Sequence, residues 1–301
     1  MTIIAGFSSS RQGSAPLNLA AQLSLTTGQK VIAAVIVERS VPRGADRLED
    51  EYQRYVSAQA TQSLERVVSG LGDDVDISVV VHESTSIPQG LTELVDDYGA
   101  ELVVVGSSSS GLLGRVTLGS VTERLVHTAA VPVAIAPRGY PRNPAPIQRL
   151  TVSYGGPADA PGLIESSAEL AKRWAVRMRI ASFTVRPAAM FGGSIERGAE
   201  DLIVQRWSRR VREDALKQLA EARARVAVPD VDVVIGAGIE WRDAVDDIPW
   251  GTRDMLLLGS GAAGPMAQVF LGSAASKILR HAPVPAMILP REREAAVSAE
   301  P

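Results

Sequence analysis

The chain has 301 residues, about twice the usual domain, and is 46% hydrophobic and 22% charged, so two globular domains are expected and disorder is excluded. A formal net charge of −3 is too balanced for an electrostatic footprint on nucleic acid or an anionic membrane. There is no cysteine, which removes thiol catalysis, disulfides, iron–sulfur clusters and thiolate zinc sites, and His82, His127 and His281 are too scattered for an all-histidine metal cage.

In chain order, short apolar strands are expected over residues 2–7, 30–37, 75–81, 102–105 and 132–136. Helical patterns fall between them, over 16–25, 47–68, 91–98 and 117–129. Prolines then stop regular structure in a linker over 139–147. The alternation resumes with strands over 150–154, 178–185, 231–235, 254–258 and 285–289, and helices over 162–175, 199–226, 241–247 and 270–280. Residues 292–301 read as a flexible tail. No basic segment with a long apolar core opens the chain, and its longest apolar runs are of strand length, so a soluble, cytoplasmic protein without membrane insertion is expected.

The second half repeats the first. Leu102-Val-Val-Val-Gly-Ser returns as Met255-Leu-Leu-Leu-Gly-Ser, and Gly259, Gly272 and Pro285 each follow Gly106, Gly119 and Pro132 by 153 residues. Two α/β domains follow, over 1–138 and 148–291. Strands that are apolar on both faces and alternate with helices predict, for each, a doubly wound, Rossmann-like, five-stranded parallel sheet.

The loop after each fourth strand is the richest local feature. Gly106-Ser-Ser-Ser-Ser-Gly111-Leu-Leu-Gly114 leaves backbone N–H groups unblocked before a helix start, a cradle for an anion. It is not a P-loop, because Leu112-Leu113 and Pro265-Met266 stand where Lys and Ser/Thr are needed. Gly259-Ser-Gly261-Ala-Ala-Gly264 spells a dinucleotide fingerprint but lies late in its domain, with Pro265 next. The spacing common to both copies is Gly106-x2-Ser109-x9-Gly119-Ser120 and Gly259-x2-Ala262-x9-Gly272-Ser273.

This spacing resembles the Gly-x2-Gly-x9-Gly-Ser/Thr motif of nucleotide-binding universal stress proteins, and the likeness extends over nearly the whole chain as a tandem pair. The resemblance implies an adenine nucleotide at the crevice between the first and fourth strands. Its phosphate loop would be Gly106, Gly119, Ser120 and Val121 in copy one, and Gly259, Gly272, Ser273 and Ala274 in copy two. Ser109 and Ala262 occupy the family's middle glycine, a strained place if the backbone needs positive φ, unless Gly111 and Gly114 rebuild the cradle in a shifted register. The family's adenosine-binding Asp is replaced by Ser8 and Gly155, and Ile36 and Thr184 would line the adenine slot. The closing strands, residues 131–136 and 284–289, would meet about a pseudo-two-fold axis, because a bare edge invites pairing.

Trp174, Trp207, Trp241 and Trp250 read as packing residues, and the arginines over 206–212 as a solvated helix face. Asp243, Asp246 and Asp247 share one helix side but have no second ligand cluster, so no metal is assigned. No catalytic constellation stands out, and an enzyme is not expected. The resemblance implies a stress-associated regulatory protein whose ligand is ATP or another adenine nucleotide, held weakly and better by copy one. The alternative is a non-binding scaffold of the same fold serving an unknown protein partner. No nucleic-acid partner is expected, and a further homodimer is left open.

Overall fold

Strands apolar on both faces need helices on both sides, and the chain supplies them in alternation. The computed structural model describes residues 2–8, 13–39, 47–72, 74–155, 162–185, 194–228, 230–262, 269–270 and 272–290. Copy one runs β1 (Thr2–Gly6), α1 (Ser14–Thr27), β2 (Lys30–Glu38), α2 (Arg47–Val68), β3 (Ile77–Ser84), α3 (Ile87–Tyr98), β4 (Leu102–Gly106), α4 (Ser120–Thr128) and β5 (Val133–Ala136). Copy two runs β6 (Arg149–Ser153), α5 (Leu163–Arg173), β7 (Arg177–Val185), α6 (Ser194–Arg223), β8 (Val231–Gly238), α7 (Trp241–Asp246), β9 (Asp254–Gly259), a small ribbon of β10 (Gly261–Ala262) and β11 (Val269–Phe270), α8 (Ser273–His281) and β12 (Ala286–Leu289).

The two expected sheets are joined into one. Its order is β3-β2-β1-β4-β5-β12-β9-β6-β7-β8, ten strands, parallel within each copy. At the centre β5 and β12 pair antiparallel, Val133 with Ile288, Ala134 with Met287 and Ile135 with Ala286. This is the pseudo-two-fold meeting expected of two bare edges. One core lies under α1, α2, α5 and α6, with Leu17, Leu23, Leu64, Ile164 and Leu219 among its buried residues. The other lies under α3, α4, α7 and α8, with Leu91, Leu125, Val245, Ile278 and Leu279. Each core is continuous across the seam, so neither copy closes its own interior.

The linker is docked along α1. That helix is buried nearly all round, yet it carries a polar stripe at every fourth residue. Asn18 donates to the Tyr140 carbonyl at 2.8 Å, Gln22 to that of Ala145 at 2.9 Å, and Thr26 Oγ1 accepts from the Ile147 N–H at 2.8 Å. The Tyr140 hydroxyl donates to Gln22 Oε1 at 2.6 Å, and burial pushes its phenol up to about 12.

Some boundaries differ from the sequence reading for local reasons. Helix α3 begins at Ile87, because Ser86 caps it by accepting from the Gln89 N–H and Pro88 suits a first turn. Helices α4 and α8 begin at Ser120 and Ser273, later than the expected 117 and 270. Thr117 and Phe270 are instead paired with the start of the preceding loop: Ser108 N–H donates to Thr117 O at 2.7 Å, and Gly261 pairs with Phe270.

Candidate functional site

In copy one, β1 leads to α1 on one face of the sheet and β4 leads to α4 on the other, which opens a crevice between their C-terminal ends. Ser8 lies exposed just past β1, and by register it falls between Ile36 of β2 and Ser107. Gly13 lets the chain turn back against this end: a Cβ there would lie 1.8 Å from the Ser8 carbonyl oxygen. Ile36 is half-buried under α3. Gly90 allows that close approach, since a Cβ on it would stand 2.7 Å from Ile36 Cγ2.

The loop from Gly106 to Gly119 is closed at its base by hydroxyls. Ser107 Oγ accepts from the Thr117 N–H at 2.7 Å and donates to Thr117 O at 3.1 Å. Ser108 Oγ lies 2.9 Å from Ser110 Oγ, and the Gly111 N–H donates to Ser108 O at 3.2 Å. A Cβ on Gly111 would come within 2.6 Å of Thr117 Oγ1, so that turn requires glycine. Gly114, at φ 73, donates its N–H to Arg138 O at 2.9 Å, while Arg138 Nη1 donates to Gly111 O at 2.6 Å. The amides of Gly111 and Gly114 are therefore used inside the loop, which speaks against the shifted-register exception. Ser109 is exposed and does not have positive φ, so the strain expected of a non-glycine there is absent as well.

Helix α4 begins beside this loop. Gly119 is its N-cap, extended at φ −95 and ψ 171, and no side chain caps the first turn. The N–H groups of Ser120 and Val121 have no place in the intrahelical ladder and carry the positive end of the helix dipole. Thr122 Oγ1 donates to Gly106 O at 3.2 Å and fixes the helix start to the end of β4. A Cβ on Gly119 would meet Ser108 first, at 3.6 Å, so Ser108 forms the wall behind it. The structure thus gathers Gly106, Gly119, Ser120 and Val121 at one strand end, with Ser109 at the loop tip and Ser8 and Ile36 on the adjoining strands. The roles of Ser107, Ser108, Thr117 and Arg138 were not read from the sequence, where only the serine run was visible.

Copy two repeats the frame and changes the contents. Gly259 ends β9, the Ser260 N–H donates to Leu289 O at 3.1 Å, and the β10–β11 ribbon closes the loop as Ser108 and Thr117 do in copy one. Gly272 caps α8 at φ −56 and ψ 156 with no side-chain cap and, among the described residues, nothing within 4 Å of a Cβ, and Ser273 and Ala274 are exposed. Pro265 and Leu271 lie outside the described residues. The register corrects one assignment: β1 pairs Ile3 with Val31 and β6 pairs Leu150 with Met178, so the counterpart of Ile36 is Phe183 rather than Thr184. Phe183 is buried in the same core to which Ile36 belongs, whereas Thr184 points to the opposite face of the strand.

The residues set aside have structural roles. Asp243 Oδ2 accepts from the Glu240 N–H at 3.2 Å, Asp247 Oδ2 from the Ala237 N–H at 3.0 Å, and Asp246 pairs with Arg115 and Arg242 at 3.3 and 3.7 Å. Trp174 and Trp207 join one core and Trp241 and Trp250 the other.

The model of the universal stress protein family matches this chain twice, over residues 1–137 and 146–290. A universal stress protein of Mycobacterium tuberculosis strain H37Rv is 31% identical over 294 residues, which cover 96% of this chain and 100% of that relative. A second one from the same strain is 27% identical over 256 residues, covering 80% of this chain and 77% of the relative. Among solved structures, a universal stress protein from Archaeoglobus fulgidus DSM 4304 superposes with a TM-score of 0.59 at 17% identity, covering 96% of this chain and 98% of that one.

Proposed function

Because the chain belongs to the universal stress protein family, we propose that it is a stress-associated regulatory protein that binds an adenine nucleotide in copy one and does no chemistry on it. The observation that carries this reading is the uncapped start of α4, which opens at the sheet's switch point between Gly106 and Gly119. On this reading Ser8, Ser109 and Ser120 would offer hydroxyls to the nucleotide, and Ile36 an apolar wall. Glycines, hydroxyls and one aliphatic chain can bind and orient a nucleotide; none of them is a general base that could activate water.

Copy two supports binding less well. Phe183 fills the place of Ile36, and Gly155 and Ala262 offer no side-chain donor where copy one has Ser8 and Ser109. Binding in copy one is weak on this reading, because a charge-assisted hydrogen bond from a carboxylate at position 8 would be worth about 1.5–3 kcal/mol, or roughly ten- to a hundredfold in affinity. Calorimetric titration of nucleotide-stripped protein with ATP, ADP, AMP and cyclic AMP tests the proposal. ATP should bind in the high micromolar range or weaker, and Ser8→Asp should tighten it at least tenfold. Silence towards all four nucleotides, unchanged in Ser8→Asp, would favour a scaffold that binds none.

A further inference from the structure

The outer half of the copy-one loop touches the other copy. Val116 is fully buried in the core shared by both copies, with Leu91 and Leu125 of copy one and Ile278 and Leu279 of copy two. Beside it, the Arg115 side chain is 24% exposed and reaches across the seam. One guanidinium nitrogen, Nη1, donates to the carbonyl of His281, the last residue of α8, and Nη2 donates to Asp246 Oδ1 at 3.3 Å. A cation is well placed at a helix C-terminus, and a carboxylate beside it adds to the hold. The backbone of Arg115 is fixed too: its N–H donates to Leu112 O at 3.1 Å and its carbonyl accepts from the Arg138 N–H at 3.0 Å. Two residues on, Thr117 ties down Ser107 and Ser108, and Ser108 is the wall behind Gly119. An unbroken line of contacts therefore joins copy two to the anion loop of copy one.

We propose that Arg115 is a positioning residue through which copy two holds the copy-one loop in its binding shape, so that site one is assembled by both copies. For its ligand this rests on the nucleotide reading above; for the loop it does not. The test uses the full chain and the variants Arg115→Ala, Arg115→Lys and Asp246→Asn. Hydrogen exchange of the Ser108, Gly111 and Gly114 amides should quicken at least tenfold in Arg115→Ala, with the amides of β4 and β5 unchanged. Asp246→Asn should give a smaller effect, because the His281 carbonyl still accepts, and Arg115→Lys should restore part of the protection. ATP affinity should fall about tenfold in Arg115→Ala and recover in part in Arg115→Lys. If the wild type binds no ATP, the nucleotide reading fails while the exchange result still decides the role of Arg115. Unaltered loop exchange in Arg115→Ala, or quickening shared by the whole sheet, would overturn the proposal.

Discussion

Position 179 gives the sharpest stability test. Register places Arg179 of β7 where copy one has Ile32, and the guanidinium is only 1% exposed. It donates to Thr151 Oγ1 at 3.1 Å and Pro249 O at 2.9 Å, lies 3.4 Å from Asp254 Oδ2, and stacks 5.1 Å above the Trp250 ring. Asp254 also takes Arg149 Nε at 3.0 Å, Arg149 Nη2 at 2.6 Å and the Gly251 N–H at 2.8 Å. Burial, with the neighbouring Arg149 charge, pushes the Arg179 guanidinium down to about 10, a cost of ~3 kcal/mol for keeping it charged. Asp254→Ala removes the carboxylate that contacts this cation, leaves it only the weaker pull of Asp232, and should cost about 3 kcal/mol. Arg179→Met removes the charge and leaves Asp254 paired with Arg149, so it should fall within about 1 kcal/mol of wild type. The double variant should then be at least ~2 kcal/mol more stable than Asp254→Ala alone. Urea unfolding followed by tryptophan fluorescence measures this, since all four tryptophans lie in copy two. Arg179→Met as damaging as Asp254→Ala, or strictly additive effects, would refute the reasoning. These residues sit at the N-terminal ends of their strands, so ATP titrations should be unchanged in Arg179→Met.

Ala175 follows α5 at φ 52, where copy one has Gly28 at φ 69. Left-handed backbone costs a non-glycine residue about 1–2 kcal/mol, partly offset by the freedom glycine adds to the unfolded chain, so Ala175→Gly should raise urea stability by roughly 0.5–1 kcal/mol. Gly28→Ala should lower it by a similar amount, from backbone strain less the unfolded-state gain and with no steric part, because a Cβ there meets nothing within 4 Å. Gly119→Val should fold, since the N-cap backbone is extended, but fill the anion space and abolish ATP binding, whereas Gly272→Val should leave it intact; the reverse result in calorimetry would assign the ligand to copy two. Tyr140, raised to about 12 by burial, favours its neutral form in the fold. Its contribution is complete below the unfolded phenol value of about 10 and lost as pH rises towards 12, ~3 kcal/mol in all. A tyrosinate absorbance step near pH 12 that persists in Tyr140→Phe would contradict this.

The repeat and the strand succession were legible because they rest on apolar runs and a fixed spacing, and the glycines of the helix starts could be placed from the same spacing; the meeting of β5 with β12 was expected from the family resemblance and from their bare edges. What was not legible depends on contacts between distant residues. The late start of α4 follows from the Ser107 hydroxyl and the Ser108 N–H pairing with the Thr117 backbone ten and nine residues away, which composition alone does not reveal. The Thr184 assignment failed by one residue, and in a strand one residue exchanges the two faces, so Phe183 and not Thr184 meets the core beside the crevice. Nothing in the sequence singles out Arg179; its role depends on Asp254 and Thr151, which only the fold brings to it.

The shared sheet also explains why the copies can differ so much at their sites. With β5 and β12 paired and both cores continuous across the seam, folding demands of copy two only that it complete the interior. Its crevice is free to change, and it has: Phe183 enters the core, and Gly236 and Gly238 let the six-residue α7 lie flush on β8, a Cβ on Gly236 falling 2.1 Å from Ala244 O. That close seating brings Asp246, the last residue of α7, within 3.3 Å of Arg115. On the proposals above, the changes that make copy two a poorer nucleotide site and those that make it a support for the copy-one loop belong to one rearrangement. A variant that lifts α7 from β8, such as Gly238→Val, should therefore loosen the Ser107–Thr117 loop although it lies in the other copy. Loop exchange rates that ignore α7 would separate the two.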